Sequence, residues 1–245
     1  MFEQVAHYRI LEPIGSTSNG EYRARDTRTG RTVRIVLLLE EAADADRRAQ
    51  LFRAGRAVST LSHPNIAALY QIGEDRGRVF LAFEFVAGET LASAIGGRPM
   101  NVRRALDLGA QVADALAEAV AADIPHRHVT AADVVITPAG RAKIVNLGVA
   151  PWLRPPRAAI PAGDRDDIGV LGALLAEMLT GAPPKGAAPS SINSAVPLEV
   201  DRIVAKALAS EAGQRFASPA TVAAALRSAV AALDARRASS ERGRI

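Results

Sequence analysis

The sequence predicts an α+β protein of two lobes, a small antiparallel sheet with one main helix and then a larger, mainly helical part. Three observations carry this. Strand-like runs crowd the first 86 residues, a long amphipathic pattern opens near residue 101, and helical patterns dominate from residue 167 onward. Residues 8–14, 21–26 and 31–39 read as strands broken by turns, with "DTRTG" as the hairpin connection between the last two. Residues 44–61 place apolar or small side chains at helical spacing and stop before His63-Pro64-Asn65. Strand runs at 68–72 and 79–85 follow, joined by "GEDRG".

Beyond Gly88 the period changes. Residues 101–122 form an amphipathic helix with Leu106, Ala110, Ala113, Leu116, Ala117 and Val120 on one stripe. Two short strands, 134–137 and 142–145, flank the turn "PAG". Residues 150–163 are rich in Pro, Arg and Ala and read as loop, and helices are expected at 167–179, 198–208 and 219–233. The expected organisation is a sheet lobe over 1–86, a helical lobe over 87–235 and a basic flexible tail over 236–245, with a site in the cleft between the lobes.

Composition narrows the function. The chain of 245 residues is 49% hydrophobic and 23% charged, as a soluble domain with a sizeable core would be. Cysteine is absent, which removes disulfides, thiol nucleophiles and cysteine-ligated metals. The opening residues lack a basic-then-apolar leader pattern, and the apolar runs read as too short to span a bilayer, so a cytoplasmic protein is expected. A net charge of +4 raises nucleic acid as a partner. The arginines are spread out, however, and no aromatic residues alternate with them. Arg23, Arg25, Arg28, Arg31 and Arg34 read instead as the wet face of a hairpin.

Several strings in fixed order carry more information than any one alone. They are "ILEPIG", "YRARDTRTGRTV", "LSHPNI", His126-Arg127 ahead of an extended run, "TPAGRAKIVNLGVA", "EMLTG", "DRIVAKAL" and "QRFASPATVAAALR". In this order and spacing the chain resembles a bacterial, eukaryotic-like serine/threonine protein kinase from His7 to about Leu233. The resemblance implies a bilobal kinase-like fold and ATP-dependent phosphotransfer. It also lets each position be checked against that chemistry.

The checks fail one after another. The glycine-rich loop resembles Gly15, Thr17 and Gly20, one residue short before Tyr22. In the third strand Val36 stands at the phosphate-binding lysine, and Arg34 replaces the small residue that lies against adenine. Such an arginine either fills the nucleotide pocket or turns out to solvent. Ala54 stands where the partner glutamate belongs. The resemblance places Phe83, Glu84 and Val86 along the cleft. In the catalytic loop the acid is His128 and the lysine is Thr130, and the following Asn–Asp metal pair is inverted to Asp133 and Asn146. About twenty residues separate Asn146 from Asp167, which implies a truncated activation segment without its usual closing glutamate. Arg215, that glutamate's partner, is then expected to find a carboxylate or backbone carbonyls from the bridge or the central-helix region.

His126, Arg127, Asp167 and Arg215 read as structural remnants of the frame. The resemblance therefore implies a pseudokinase, a catalytically inactive protein-binding or regulatory scaffold. Its expected partners are other signalling proteins, an active serine/threonine kinase among them, and no cofactor or resident metal is expected. The alternative is a divergent kinase with weak Mg-ATP binding through Asp133 and Asn146 and His128 as base. A metal site at His126-x-His128 with Asp133 is a third reading. Finally, Arg236-Arg237-Ala238-Ser239 resembles the site preferred by basophilic kinases, making Ser239 a candidate phosphosite.

Overall fold

The computed structural model describes residues 3–15, 20–38, 45–124, 129–153 and 167–242. The small lobe is one antiparallel sheet. Its strands are β1 (Gln4–Val5), β2 (Tyr8–Pro13), β3 (Glu21–Asp26), β4 (Thr32–Leu37), β5 (Leu69–Asp75) and β6 (Arg78–Glu84), in spatial order β1-β2-β3-β4-β6-β5. Helix α1 (Ala45–Val58) crosses between β4 and β5. The β3–β4 hairpin closes for a local reason. Asp26 accepts from the backbone N–H of Arg28 (2.8 Å) and Thr29 (3.2 Å) and from the Thr29 hydroxyl (2.7 Å), pinning the turn.

Apart from Thr32 and Arg34, β4 is apolar, because both of its faces are covered. Val33, Ile35 and Leu37 join Tyr8, Ala24, Phe80 and Ala82 on one side, and Val36 joins Leu51, Val58, Leu81 and Phe83 on the other. Helix α1 buries Leu51, Gly55 and Val58, spaced to form one stripe towards the sheet.

The large lobe holds a three-stranded sheet of β7 (Glu89–Thr90), β8 (Val134–Ile136) and β9 (Ala142–Ile144). Its helices are α2 (Leu91–Ile95), α3 (Val102–Ala121), α4 (Ala150–Leu153), α5 (Asp167–Thr180), α6 (Pro189–Ile192), α7 (Leu198–Ala207) and α8 (Pro219–Arg242). Asn101 caps α3, its side chain accepting from the N–H of Arg104 at 3.1 Å. Helix α5 is buried on most of its circumference, which matches its almost unbroken apolar sequence, and α3 packs against both α5 and α8. One core cluster runs from Val36 and Leu51 in the small lobe to Leu226 and Ala229 in α8.

Main-chain bonds join the lobes as well. The segment after α1 runs along β9, with Ala67 N–H donating to Ile144 O (2.8 Å) and Ile144 N–H to Asn65 O (2.9 Å). The buried Asn65 amide donates to Ala142 O at 2.7 Å and to Gln111 Oε1 at 3.0 Å.

Four expectations need correction. Arg34 is not on the wet face of the hairpin: it is buried, because its side of β4 turns into the cleft. Val120 leaves the α3 stripe and is 46% exposed; Val112, Ala115 and Ala119 are buried in the stripe instead. The segment after Gly148 is not loop from residue 150, since α4 forms there. The expected flexible tail is helical to Arg242, with Ser239 inside α8 and its hydroxyl donating to Ala235 O at 3.0 Å. The helix extends because Asp234–Arg242 contains Ala, Arg and Glu and no Gly or Pro to stop it. Residues Ala212–Ser239 are also long and apolar enough, by length and composition alone, to cross a membrane. Val222, Ala223, Leu226 and Ala229 of that stretch are buried in the fold, and a core helix passes the same test.

Candidate functional site

The cleft is roofed by β3 and β4 and floored by the end of β9 and the turn before β8. Glu21 pairs with Val36 and Arg23 with Arg34 across the β3–β4 ladder, so all four project on one face. Tyr22 packs on the opposite face, against the cluster around Tyr8 and Phe80. The roof therefore carries charged side chains, Glu21, Arg23 and Arg34. Gly20 lets the two strands meet: its φ is +66°, and a Cβ there would sit 2.6 Å from Leu37 O. Gly15 is exposed, and Thr17 lies outside the described residues.

Arg34 dominates the interior. Its side chain is 10% exposed. One terminal nitrogen donates to Glu21 Oε2 at 3.0 Å, and the other to Val145 O at 2.8 Å and Asn146 Oδ1 at 2.5 Å. The guanidinium carbon lies 4.9 Å from the centre of the Phe83 ring, a cation–π distance. Arg23 repeats the motif one step outward, over Phe85 at 5.1 Å and donating to Glu12 at 2.8 Å. Burial pushes the Arg34 guanidinium below its ordinary value, while Glu21 and then Asp133 pull it back. It remains a cation, because arginine does not deprotonate in proteins.

The network continues inward. Asn146 donates its amide N–H to Asp133 Oδ1 at 3.0 Å. Asp133, 1% exposed, accepts on Oδ2 from the Thr130 N–H (2.9 Å) and hydroxyl (2.8 Å), which closes a capping box on the turn before β8. The structure thus brings Arg34, Asn146, Asp133 and Thr130 into one buried chain of hydrogen bonds that starts at Glu21. Among the described residues no group of three or more His, Cys, Asp or Glu stands ready to hold a metal.

The remaining candidates fall into place around this chain. Val36 is 2% exposed within the apolar cluster, and half-buried Ala54 packs against the same cluster. Phe83 is buried beneath Arg34, and Val86 is half-buried beyond it. Glu84 is held by the Lys143 ammonium, 2.7 Å from each carboxylate oxygen. Asp167 opens α5. Arg215 donates to the carbonyls of Ala209 (2.6 Å) and Ser210 (3.1 Å), on the loop after α7. Backbone carbonyls were expected there, and these come from a loop the sequence did not single out. His126, Arg127 and His128 lie outside the described residues, as does most of the bridge at 154–166.

Sequence reasoning missed Glu21, Arg23 and Lys143. The first two were findable: once Arg34 is placed on the cleft face, the antiparallel neighbour strand must present every second residue beside it. Lys143 gave no local signal.

Comparison with known proteins agrees with this geometry. Residues 12–158 match the protein tyrosine and serine/threonine kinase family. The chain is 29% identical over 266 residues to the serine/threonine-protein kinase PknD of Mycobacterium tuberculosis, covering 93% of this chain and 40% of that protein. It is also 29% identical to PrkC of Bacillus subtilis, over 85% of this chain and 38% of that one. It therefore spans less than half the length of these relatives. Among solved structures, a variant of the M. tuberculosis PknI kinase domain superposes with a TM-score of 0.79 at 25% identity, covering 93% of this chain and 98% of that chain.

Proposed function

Because this chain belongs to the protein tyrosine and serine/threonine kinase family, with bacterial serine/threonine kinases as its relatives, we propose that it is a pseudokinase whose nucleotide cleft is filled by its own side chains. The observation that carries this reading is Arg34, buried over Phe83 and bonded to Asn146 and Glu21. Phosphoryl transfer rests on positioning and on neutralising phosphate charge, through a lysine, a metal-binding carboxylate and a second carboxylate that accepts the substrate hydroxyl proton. Val36 offers no charge, Asn146 no carboxylate, and the lone pairs of Asp133 are turned to Thr130 and Asn146. This donor set does not fit Mg-ATP. What remains is a fixed two-lobed surface, suited to binding other signalling proteins, an active serine/threonine kinase included.

A thermal melt with ATP, with and without Mg²⁺, tests this directly, since a ligand bound only by the native state raises Tm. No shift is expected. A low-micromolar Mg-ATP affinity, or ATP-dependent phosphorylation of any substrate, overturns it. The same assay decides the second reading, a divergent kinase with residual Mg-ATP binding. That reading draws on one observation, the surviving carboxylate–amide pair of Asp133 and Asn146.

A further inference from the structure

Arg34 belongs to β4 in the small lobe, yet two of its three hydrogen-bond acceptors, Val145 O and Asn146 Oδ1, follow β9 in the large lobe. Lys143 and Glu84 make a second such tie a few residues away, from β9 to the end of β6. We propose that Arg34 is a built-in latch that holds the two lobes closed across the cleft with no ligand bound, so that the closed geometry is a standing property of the domain. The inference rests on the reading above, in which no nucleotide takes that place.

The argument is one of charge and burial. Glu21 and Asp133 put two carboxylates around the cleft, one from each lobe, and Asp133 is 1% exposed. Without a cation between them, closing the lobes would bring like charges together in a medium of low dielectric. The guanidinium supplies that cation from within. Its planar fork satisfies acceptors in both lobes at once, which a lysine's point charge cannot do. Asn146 at the middle of the chain has no charge of its own to add, so its carbonyl is free to accept Arg34 while its amide donates to Asp133. The links from Arg34 to Val145 and Asn146 and from Asn146 to Asp133 are buried, so water does not replace a broken one in place.

Hydrogen–deuterium exchange on the full chain tests the latch, with wild type compared to Arg34→Met, which keeps bulk and removes the charge and the fork, and to Arg34→Lys, which keeps the charge alone. Peptides covering β4 and residues 143–147 report the lobe contact, and peptides from α3 and α8 report global stability. In Arg34→Met the two strand regions should exchange faster by about tenfold beyond any change in α3 and α8. Arg34→Lys should lie between that variant and wild type. Exchange that rises equally everywhere, or not at all, overturns the latch. If Arg34→Met does not fold, Arg34→Lys decides by the same ratio: an excess at the strands supports the latch, and a wild-type ratio overturns it. ATP-dependent phosphorylation by the wild type would instead sink the pseudokinase reading, and the exchange ratio would still judge the latch.

Discussion

The cleft and the outer face of α3, α7 and α8 use the same residue types, arginines and carboxylates, with opposite consequences. In the cleft, Arg34 (10% exposed) and Asp133 (1% exposed) belong to one chain of hydrogen bonds with little access to water. On the outer face Arg103 bridges Asp107 and Asp234, Arg227 meets Asp114, and Arg236 donates to Glu199, with every arginine at least half exposed. Coulomb attraction is similar in form at both places. What differs is what replaces it when it is lost. Water solvates a freed arginine on the outer face, and nothing does so in the cleft. Counting ion pairs would rank the outer face first; burial reverses the order.

The largest expected break of this comparison is Asp133→Ala. It strips Asn146 of an acceptor, leaves the Thr130 N–H without its carboxylate and removes a counter-charge of buried Arg34. Truncating one partner of a buried charged network costs about 3–5 kcal/mol. For a chain of this length that is a fall in Tm of roughly 10 °C. A loss within a few degrees of wild type would mean the cleft is wetter than the burial indicates.

Val36→Lys comes next. It restores the residue the family uses, but places an ammonium in an apolar cluster where Ala54 offers no carboxylate. A destabilisation of about 3 kcal/mol is expected, with the stem able to turn its head partway towards Glu21. Adding Ala54→Glu should recover about 1–3 kcal/mol of it, a coupling read from the double-mutant cycle. Neither variant should phosphorylate anything, because Asn146 and Arg34 remain. Activity in either one would refute the claim that the cleft is filled.

How much of this was legible in the sequence depends on the range of the interaction. The long helices were, because ten or more residues of periodic burial leave a pattern: α3 lies within 101–122 and α5 begins at Asp167. The short elements β1, β7, α2, α4 and α6 were not, since pieces so short are set by what they pack against; β8 and β9, equally short, were legible because the turn signal of Pro138-Ala139-Gly140 lies between them. In the candidate site, the substitutions at Val36, Ala54 and Asn146 were visible as departures from the family strings. The direction of Arg34 was not. A period of two says that Arg34 and Val36 share a face, but whether that face meets water or the other lobe is settled by how the lobes close. The end of α8 failed for the opposite reason. The leucine- and valine-bearing pattern ends at Leu233, but no Gly or Pro follows before Gly243, so the helix has nothing to stop it there.

On the outer face, Arg103→Ala should be mild. The pair with Asp234 holds that carboxyl below its usual range, through the hydrogen bond first and then the charge. Both groups are nonetheless open to solvent. A small loss of stability is expected, shrinking as salt rises from low to physiological strength. The Asp133→Ala effect should be insensitive to the same salt series. If both respond alike, the contrast between the two regions fails.

The smallest effect belongs to Ser239. As sequence it offers a basophilic kinase two arginines and a serine, and an extended tail would be an easy substrate. In the fold the same residues are helical: the hydroxyl donates to Ala235 O, and Arg236 is held by Glu199. A kinase that binds extended peptide must first unwind this end of α8. Residues 234–239 are all exposed, so the obstacle is modest and set by local fraying. Incubation with a basophilic kinase should therefore label Ser239 slowly and substoichiometrically, while a peptide of residues 232–245 is labelled faster. Glu199→Gln, which weakens the hold on Arg236, should raise the rate in the intact chain towards that of the peptide. Once added, the phosphate lies one helical turn from Arg236 and competes with Glu199 for it. Equal labelling of chain and peptide would show that α8 ends functionally at Leu233, and the tail would then be the flexible segment its sequence suggests.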